Sequence, residues 1–292
     1  MKIKKIIGWI SISISIIAAC FWAYWGIIEN FHEGWYFNSL LENIGLMLIQ
    51  YLSPMIITIS LTLVSIRNNK LGAFLFLISG TILAYLVNNT IISIPFIFLG
   101  ILYWFSKFSK KKWKYRLCIL LPIITLIIFG IEPIYRTSGR INDNNFGIRI
   151  VHGNDISLVW APQGPGWPTV GTNWYKADSI CKYLTRDGLS IANYPQNIWR
   201  LPTVEEAVRS MHRHNTNCKG LLNSKMEPEY EIEPDKETPL WNPHSQVIYW
   251  WTKNEIDDKS AYIIVYDGKI WKRKKDYSAN YLGFRAVKNL ED

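Results

Sequence analysis

Apolar residues follow two arrangements along this chain. Through about residue 132 they form long unbroken runs; beyond it they recur singly, among charged residues, glycines and prolines. The first part holds five apolar stretches, at about 6–28, 44–66, 71–87, 91–105 and 117–131. The first two reach the roughly 20 residues with which a helix spans a bilayer. The third and fourth are short, with only Asn88, Asn89 and Thr90 between them. That spacing predicts a tight helical hairpin, with one span plus a re-entrant segment as the alternative. The fifth carries Pro122 near its start, where it either kinks the helix or occupies its first turn.

The pattern after 132 predicts mixed α and β structure. Residues 146–161 give two β-prone runs around Gly153-Asn154-Asp155, followed by a breaker-rich loop at 162–168. In 172–188, Trp174, Ala177, Ile180, Cys181 and Leu184 share one helical face. Thr172 or Asn173 can cap that helix, and Gly188 stands past its end. A second helix is predicted over 201–214. Pro202 excludes helix before the cap, Thr203 and Glu206 form a capping box, and Val204, Ala207, Val208 and Met211 make the buried stripe. Residues 219–245 read as a long polar excursion. Strands follow at 247–252, 260–267, 269–275 and 283–288, with an Asp267-Gly268 hairpin turn.

The architecture expected is therefore an α-helical polytopic membrane domain of about five transmembrane helices (1–132), followed by an α+β soluble domain (133–292). Charge placement orients it. Lys2, Lys4 and Lys5 precede the first span. Glu29, Glu33 and Glu42 follow it, with no Lys or Arg beside them. Arg67 and Lys70 mark the next connection. Lys107, Lys110, Lys111, Lys112, Lys114 and Arg116 mark the one before the fifth stretch. Basic residues thus fall on every second connection, as the positive-inside rule requires. The N-terminus is expected in the cytoplasm, and an odd number of spans puts the second half outside it.

The overall charge of +9 does not point to nucleic acid. Residues 1–132 hold 11 Lys/Arg against 4 Asp/Glu (+7), and 133–292 hold 21 against 19 (+2). The soluble half has a basic run at 272–275, balanced by an acidic one at 227–237; no nucleic-acid partner is expected. Near the start, "IIAAC" (16–20) is similar to a lipoprotein signal with Cys20 as the lipidated residue. Against cleavage, the apolar run continues through "FWAYWGII".

Candidate chemistry is sparse in the membrane half. Glu29, His32 and Glu33 lie at i, i+3 and i+4 and could share a helix face as metal ligands. The other spans offer no carboxylate to complete such a site, so a solvated helix end is the simpler reading. No charged residue lies deep within a span, which argues against an ion pathway.

Four blocks of the soluble half, "PTVGTNWYKADSICKYL", "WRLPTVEEA", "WWT" and "SANYLGFRAV", occur in the order found in the sulfatase-modifying-factor family, the formylglycine-generating enzymes and their relatives. The chain also resembles an uncharacterised bacterial family with the same W-R-L-P-T core. The resemblance covers roughly 146–288 and implies a C-type-lectin-like fold. It implies structural roles for Trp174, Ala177 and Cys181 on a helix packed against the sheet. Arg200, Leu201, Pro202 and Thr203 would enter the second helix, the Arg buried and paired. Gly283, Phe284 and Arg285 would form the closing strand.

Departures from the family matter more for function. Formylglycine-generating enzymes bind copper through a cysteine pair shortly before the G-F-R strand, and residues 219–292 contain no cysteine. Related enzymes use a histidine-rich iron site. Here His212, His214 and Cys218 make only a loose candidate cluster, for which a polar helix end is the simpler reading. Cys181 and Cys218 are the only cysteines of the soluble half, and an oxidising compartment makes a disulfide between them a candidate. Trp241, Trp250, Trp251 and Trp271 are candidate ligand-surface residues, since aromatic faces bind sugars and peptides. Strand alternation sends about half of such residues into the core.

The expected function is a membrane-anchored envelope protein with a non-catalytic extracytoplasmic domain. Expected partners are the lipid bilayer and a glycan, peptide or envelope-protein ligand, with no cofactor. The alternatives are a metal-dependent oxidoreductase of the formylglycine-generating superfamily and a structural component of an envelope complex.

Overall fold

The computed structural model describes residues 2–87, 90–108 and 112–291. They fall into two compact units, Met1–Trp35 with Ser39–Thr137, and Tyr36–Asn38 with Ser138–Asp292.

The first unit is helical, and each of the five apolar stretches lies in it. Its helices are α1 (Lys2–His32), α2 (Leu40–Leu46), α3 (Ser53–Arg67), α4 (Asn69–Val87), α5 (Thr90–Phe105) and α6 (Lys112–Ser138). Among the described residues, α1, α4 and α6 are long and apolar enough to cross a membrane. The stretch from α2 to α3 qualifies only as a pair bent by 60°. A π-helical turn, Met47–Tyr51, ends α2, and Pro54 opens α3 in its first turn. Helix α5 has 16 residues, about 24 Å of rise against a hydrocarbon core of about 30 Å. By length and composition, three helices among the described residues qualify as spans, or four if the bent pair is one span, beside the about five expected. Pro122 lies well inside α6 rather than at its start, because α6 begins at Lys112 and absorbs Lys112, Lys114 and Arg116 of the basic connection. Asn88, Asn89, Lys110 and Lys111 lie outside the described residues.

Helices α4 and α5 form the expected hairpin, and small residues set their separation. A Cβ at Gly80 would lie 2.8 Å from Ile97 Cγ1, and one at Gly100 2.7 Å from Leu77 Cγ. The helices alternate in direction. Lys107 N–H donates to Lys4 O (3.0 Å), Asn69 Nδ2 to Ser106 O (2.9 Å), and Trp113 stacks on Trp9 at 5.0 Å. The start of α1, the α3–α4 connection and the α5–α6 connection thus share one end of the unit. Lys2, Lys4, Lys5, Arg67, Lys70, Lys107 and Lys112 lie on those segments. At the other end Tyr24 packs edge-on against Phe129, ring centres 4.8 Å apart. Helix α6 therefore finishes where α1 finishes.

The second unit is built on two sheets. β1 (Arg149–Gly153) and β2 (Ile156–Trp160) form a hairpin whose turn residues Asn154 and Asp155 take left-handed φ of 53° and 60°. β11 (Val287–Asn289) pairs antiparallel with β2, Trp160 opposite Val287, so the unit's first and last strands share a sheet. The second sheet has the order β10-β7-β8-β9, from β7 (Tyr249–Asp257), β8 (Ser260–Val265), β9 (Ile270–Lys274) and β10 (Leu282–Gly283). β10 runs parallel to β7; the other pairs are antiparallel. Small hairpins β3–β4 (His212–Arg213, Thr216–Asn217) and β5–β6 (Leu221–Leu222, Pro228–Glu229) complete the strands. The strand expected over 283–288 is split between the sheets, with Phe284 and Arg285 crossing the gap.

Two helices pack on this framework. In α7 (Trp174–Tyr183) the Asn173 side chain accepts from Lys176 N–H, and Ala177 and Cys181 are buried. In α8 (Val204–Ser210) the Thr203–Glu206 capping box is complete, and Val204, Ala207 and Val208 are buried. Helix α8 is shorter than the predicted 201–214. Met211 turns extended (ψ 139°), and His214 and Asn215 take left-handed φ in the β3–β4 turn.

Candidate functional site

The core of the second unit settles the place of most tryptophans. Trp241, Trp250 and Trp251 are 2%, 0% and 0% exposed. Trp241 stacks on Trp250 at 3.7 Å, and Trp160 tilts against Trp250 at 5.4 Å. A ligand platform needs an open ring face, so these three are withdrawn as ligand-surface residues. Burial of each contributes roughly 4–6 kcal/mol of transfer free energy. The β7–β8 register puts Trp250 and Trp251 on opposite faces of the sheet, and both faces are covered.

The signature residues of the four blocks sit in packed, hydrogen-bonded positions, although Arg200, expected to be buried, is partly exposed. Trp199 is buried and donates from Nε1 to Thr185 O (2.9 Å). Arg200 grips Glu206 with two bonds, Nη1 to Oε2 at 2.7 Å and Nη2 to Oε1 at 2.6 Å, and also reaches Asn289 Oδ1. Leu201 and Pro202 are buried, and Lys253 N–H donates to Pro202 O. Trp174 Nε1 donates to Thr252 O (2.9 Å). At Gly283 a Cβ would meet Val247 Cγ1 at 2.9 Å. Phe284 is buried. Arg285 is fully buried, donates to the carbonyls of Ala161, Pro239 and Leu240, and lies 3.6 Å over Trp167. It ties the closing strand to β2 and to the 239–240 loop.

The polar excursion expected at 219–245 contains a buried ionic cluster instead. Asp235 is fully buried between Arg140 (2.9 Å) and Arg213 (2.7 Å). Glu237 accepts from the N–H groups of Ile141 and His214. Lys236 Nζ reaches Ser245 O, and burial drives its ammonium well below its ordinary pKa. The sequence showed no sign of this burial, because its partners are distant in the chain.

The metal and disulfide candidates do not assemble. Among the described residues no three His, Cys, Asp or Glu side chains gather as metal ligands. Glu29, His32 and Glu33 sit at the end of α1 without such a group. His212 lies on β3, where its Nδ1 meets Ser210 O (2.6 Å), and burial lowers its pKa. His214 turns toward Glu237 (3.6 Å), and Cys218 is buried. Cys181 and Cys218 are both free thiols. Burial raises both pKa values, that of Cys218 to about 12, so they are neutral. These residues do not fit the copper site that the family resemblance implies.

What stays open lies around β9. Trp271 and Tyr277 are 39% and 40% exposed. The guanidinium of Arg273 lies between them, 5.8 Å from the Trp271 ring centre and 5.9 Å from that of Tyr277. Tyr249 packs beside Trp271 (5.4 Å) and against Tyr281 (5.5 Å), and Tyr277 and Tyr281 join through their hydroxyls. Arg140, Arg149, Arg200, Arg209 and Arg213 each hold a carboxylate. Arg273 holds none among the described residues, and its Nε is buried without a hydrogen-bond partner. Trp271 had been singled out from the sequence; Arg273 and Tyr277 had not. Strand alternation from the Asp267-Gly268 turn would have put Arg273 on the Trp271 face.

Beyond the far end of β9 an open cleft of about 720 Å³ is lined by Tyr175, Asp257, Asp258, Lys259, Ser260, Lys274 and Asp276. Asp257 is engaged in the β7–β8 turn, accepting from Lys259 N–H (2.8 Å), which lowers its pKa. No family model, curated protein or solved structure matches this chain.

Proposed function

We propose that this chain is a membrane-anchored envelope protein. Its second unit would be a C-type-lectin-like relative of the sulfatase-modifying factors, acting outside the cytoplasm by binding a ligand or partner and not by catalysis. The observation that carries this reading is the platform of Trp271, Arg273 and Tyr277. It offers exposed aromatic faces around a cation that no described carboxylate satisfies. Such a surface suits a ligand with an apolar face and an acidic group.

Each part of the reading has its own support. Three helices long and apolar enough to cross a membrane favour anchoring. Basic segments at one end of the helical unit, with α6 finishing at the other, favour a second unit on the side opposite the N-terminus. The four sequence blocks, each at a packed position, favour the family. The lack of cysteine in 219–292 and two neutral buried thiols favour binding over copper chemistry.

The test uses the full chain in lipid nanodiscs on glycan and peptide arrays. Saturable binding that the double variant W271A/R273A loses supports the proposal. Wild-type binding that this variant retains moves the site elsewhere. A second experiment addresses sidedness: a membrane-impermeant thiol reagent should label an engineered cysteine at Ser224 in intact cells, above wild-type background.

A further inference from the structure

We propose that the outer edge of β9 is a docking strand for an extended acidic peptide segment, which pairs with it as an added β-strand. The inference rests on the binding reading above and names its ligand class.

Hydrogen-bond phase exposes this edge. Val265 N–H donates to Lys269 O, and Lys275 N–H donates to Lys259 O, each at 2.8 Å. In an antiparallel ladder such pairs recur at every second residue. The backbone groups of Trp271 and Arg273 therefore face β8, and those of Ile270, Lys272 and Lys274 face away from it. β9 ends its sheet. Lys274 O is taken by Tyr277 N–H (3.1 Å). No bond from a described residue reaches the outward N–H and C=O of Ile270 and Lys272. A free N–H and C=O pair of this kind is what an added strand engages.

The side chains along the edge select the occupant. On one face stand Trp271 and Arg273, with Tyr277 beyond. On the other, Lys272 lies 6.0 Å over Tyr262, flanked by Lys274. Each face thus presents a cation beside an aromatic ring. An added strand sends alternate side chains to the two faces, so carboxylates on both would find partners. Lysines on an edge strand guard against pairing between copies, and here a second copy would bring like charges together. The same charges favour an acidic strand. At the end marked by Asp258 and Asp276, the incoming segment should be neutral or basic.

The experiment measures fluorescence anisotropy of a labelled Glu/Val peptide with the repeat Glu-Glu-Val-Val, which places carboxylates on both faces of a strand, on full-length protein in nanodiscs. Its comparison probes are a Lys/Val peptide, the Glu/Val peptide N-methylated at alternate amides in either phase, and an acidic polysaccharide. The Glu/Val peptide should bind, more weakly as salt rises, while the Lys/Val peptide should not. One N-methylated phase should fail, because it cannot pair, and the other should bind. Two substitutions separate charge from pairing. K272Q removes one cation. K272P removes the same cation and also the outward N–H, which β8 does not use. K272P should bind at least about tenfold more weakly than K272Q, a difference of about 1.4 kcal/mol. Near-ultraviolet circular dichroism confirms that both remain folded; if K272P does not, the N-methyl pair decides.

Equal binding by both N-methylated peptides, or by K272P and K272Q, overturns the docking strand. So does failure of the Glu/Val peptide. Polysaccharide binding that W271A/R273A abolishes, without peptide binding, overturns the strand but upholds the platform. Loss of neither ligand in W271A/R273A overturns the platform, while the N-methylated pair and the K272P comparison decide the strand.

Discussion

The two units differ in how far along the chain some of their polar groups find partners. In the helical unit Thr58, Thr62 and Ser65 donate to the carbonyls of Pro54, Thr58 and Leu61, each four residues back at 2.7 Å. Large apolar side chains such as Ile49, Tyr85 and Ile127 point outward. In the second unit Asp235 is held by Arg140 and Arg213, Arg285 by Ala161, and Trp251 by Thr172. These partners lie far apart in sequence, and the apolar side chains are mostly inside. The difference is the one that two solvents, hydrocarbon and water, would select. Hydrocarbon offers no hydrogen bonds, so a helix placed in it must satisfy its polar groups locally. Water competes for every exposed polar group, so a soluble fold gains most by gathering apolar surface and enclosing a few well-paired ions.

The largest effects should come from breaking that enclosure. Trp250→Ala removes a fully buried indole, and Asp235→Ala strands two arginines. Each should cost the second unit about 3–5 kcal/mol in denaturant unfolding followed by tryptophan fluorescence. A loss under about 1 kcal/mol for Asp235→Ala would show that Arg140 and Arg213 find water instead. Next comes the converse error, a charge on the outward face of the helical unit. Ile127→Lys in α6 should cost about 3 kcal/mol of apparent insertion free energy, read in a glycosylation-based insertion assay. An unchanged insertion fraction would argue that this face does not meet lipid. Thr203→Ala, which breaks the α8 capping box, should cost about 1 kcal/mol.

A smaller contribution depends on pH. Burial pushes the Glu206 carboxyl up, but hydrogen bonds from Arg200 and Thr203 N–H and the Arg200 charge outweigh it, so its pKa is lowered on folding. Its stabilisation is present above the ordinary glutamate value of about 4.3 and fades as pH falls through the lowered folded value. Glu206→Gln should therefore be less stable at pH 7 and show a shallower loss on acidification; parallel wild-type and variant profiles would count against the pair. Trp271→Ala should change stability least, by under about 0.5 kcal/mol, while weakening ligand binding.

Local chemistry was legible in advance. Apolar runs mark the helices of the first unit, Thr203 and Glu206 mark the start of α8, and Asp267-Gly268 marks the β8–β9 turn. Each is settled by residues a few positions apart. Features set by distant partners were not legible. The end of α8 at Ser210 depends on the β3–β4 turn, and the break between Gly283 and Val287 depends on two sheets competing for one segment. Burial of Asp235 needs Arg140, some ninety-five residues earlier. The candidate site divides the same way. Trp271 follows from composition, whereas separating it from Trp250 and Trp251 requires knowing that β9 ends its sheet.

The pairing of β2 with β11 has a consequence in time. Trp160 meets Val287 across the whole intervening sequence, and that sheet cannot close until the chain between has been brought together. Contacts so distant along the chain slow folding, whereas helices such as α4 and α5 meet their neighbours as soon as each is made. Of the two units, the second should be the slow one to mature, leaving the β1–β2 hairpin with the far edge of β2 unpaired in the interval.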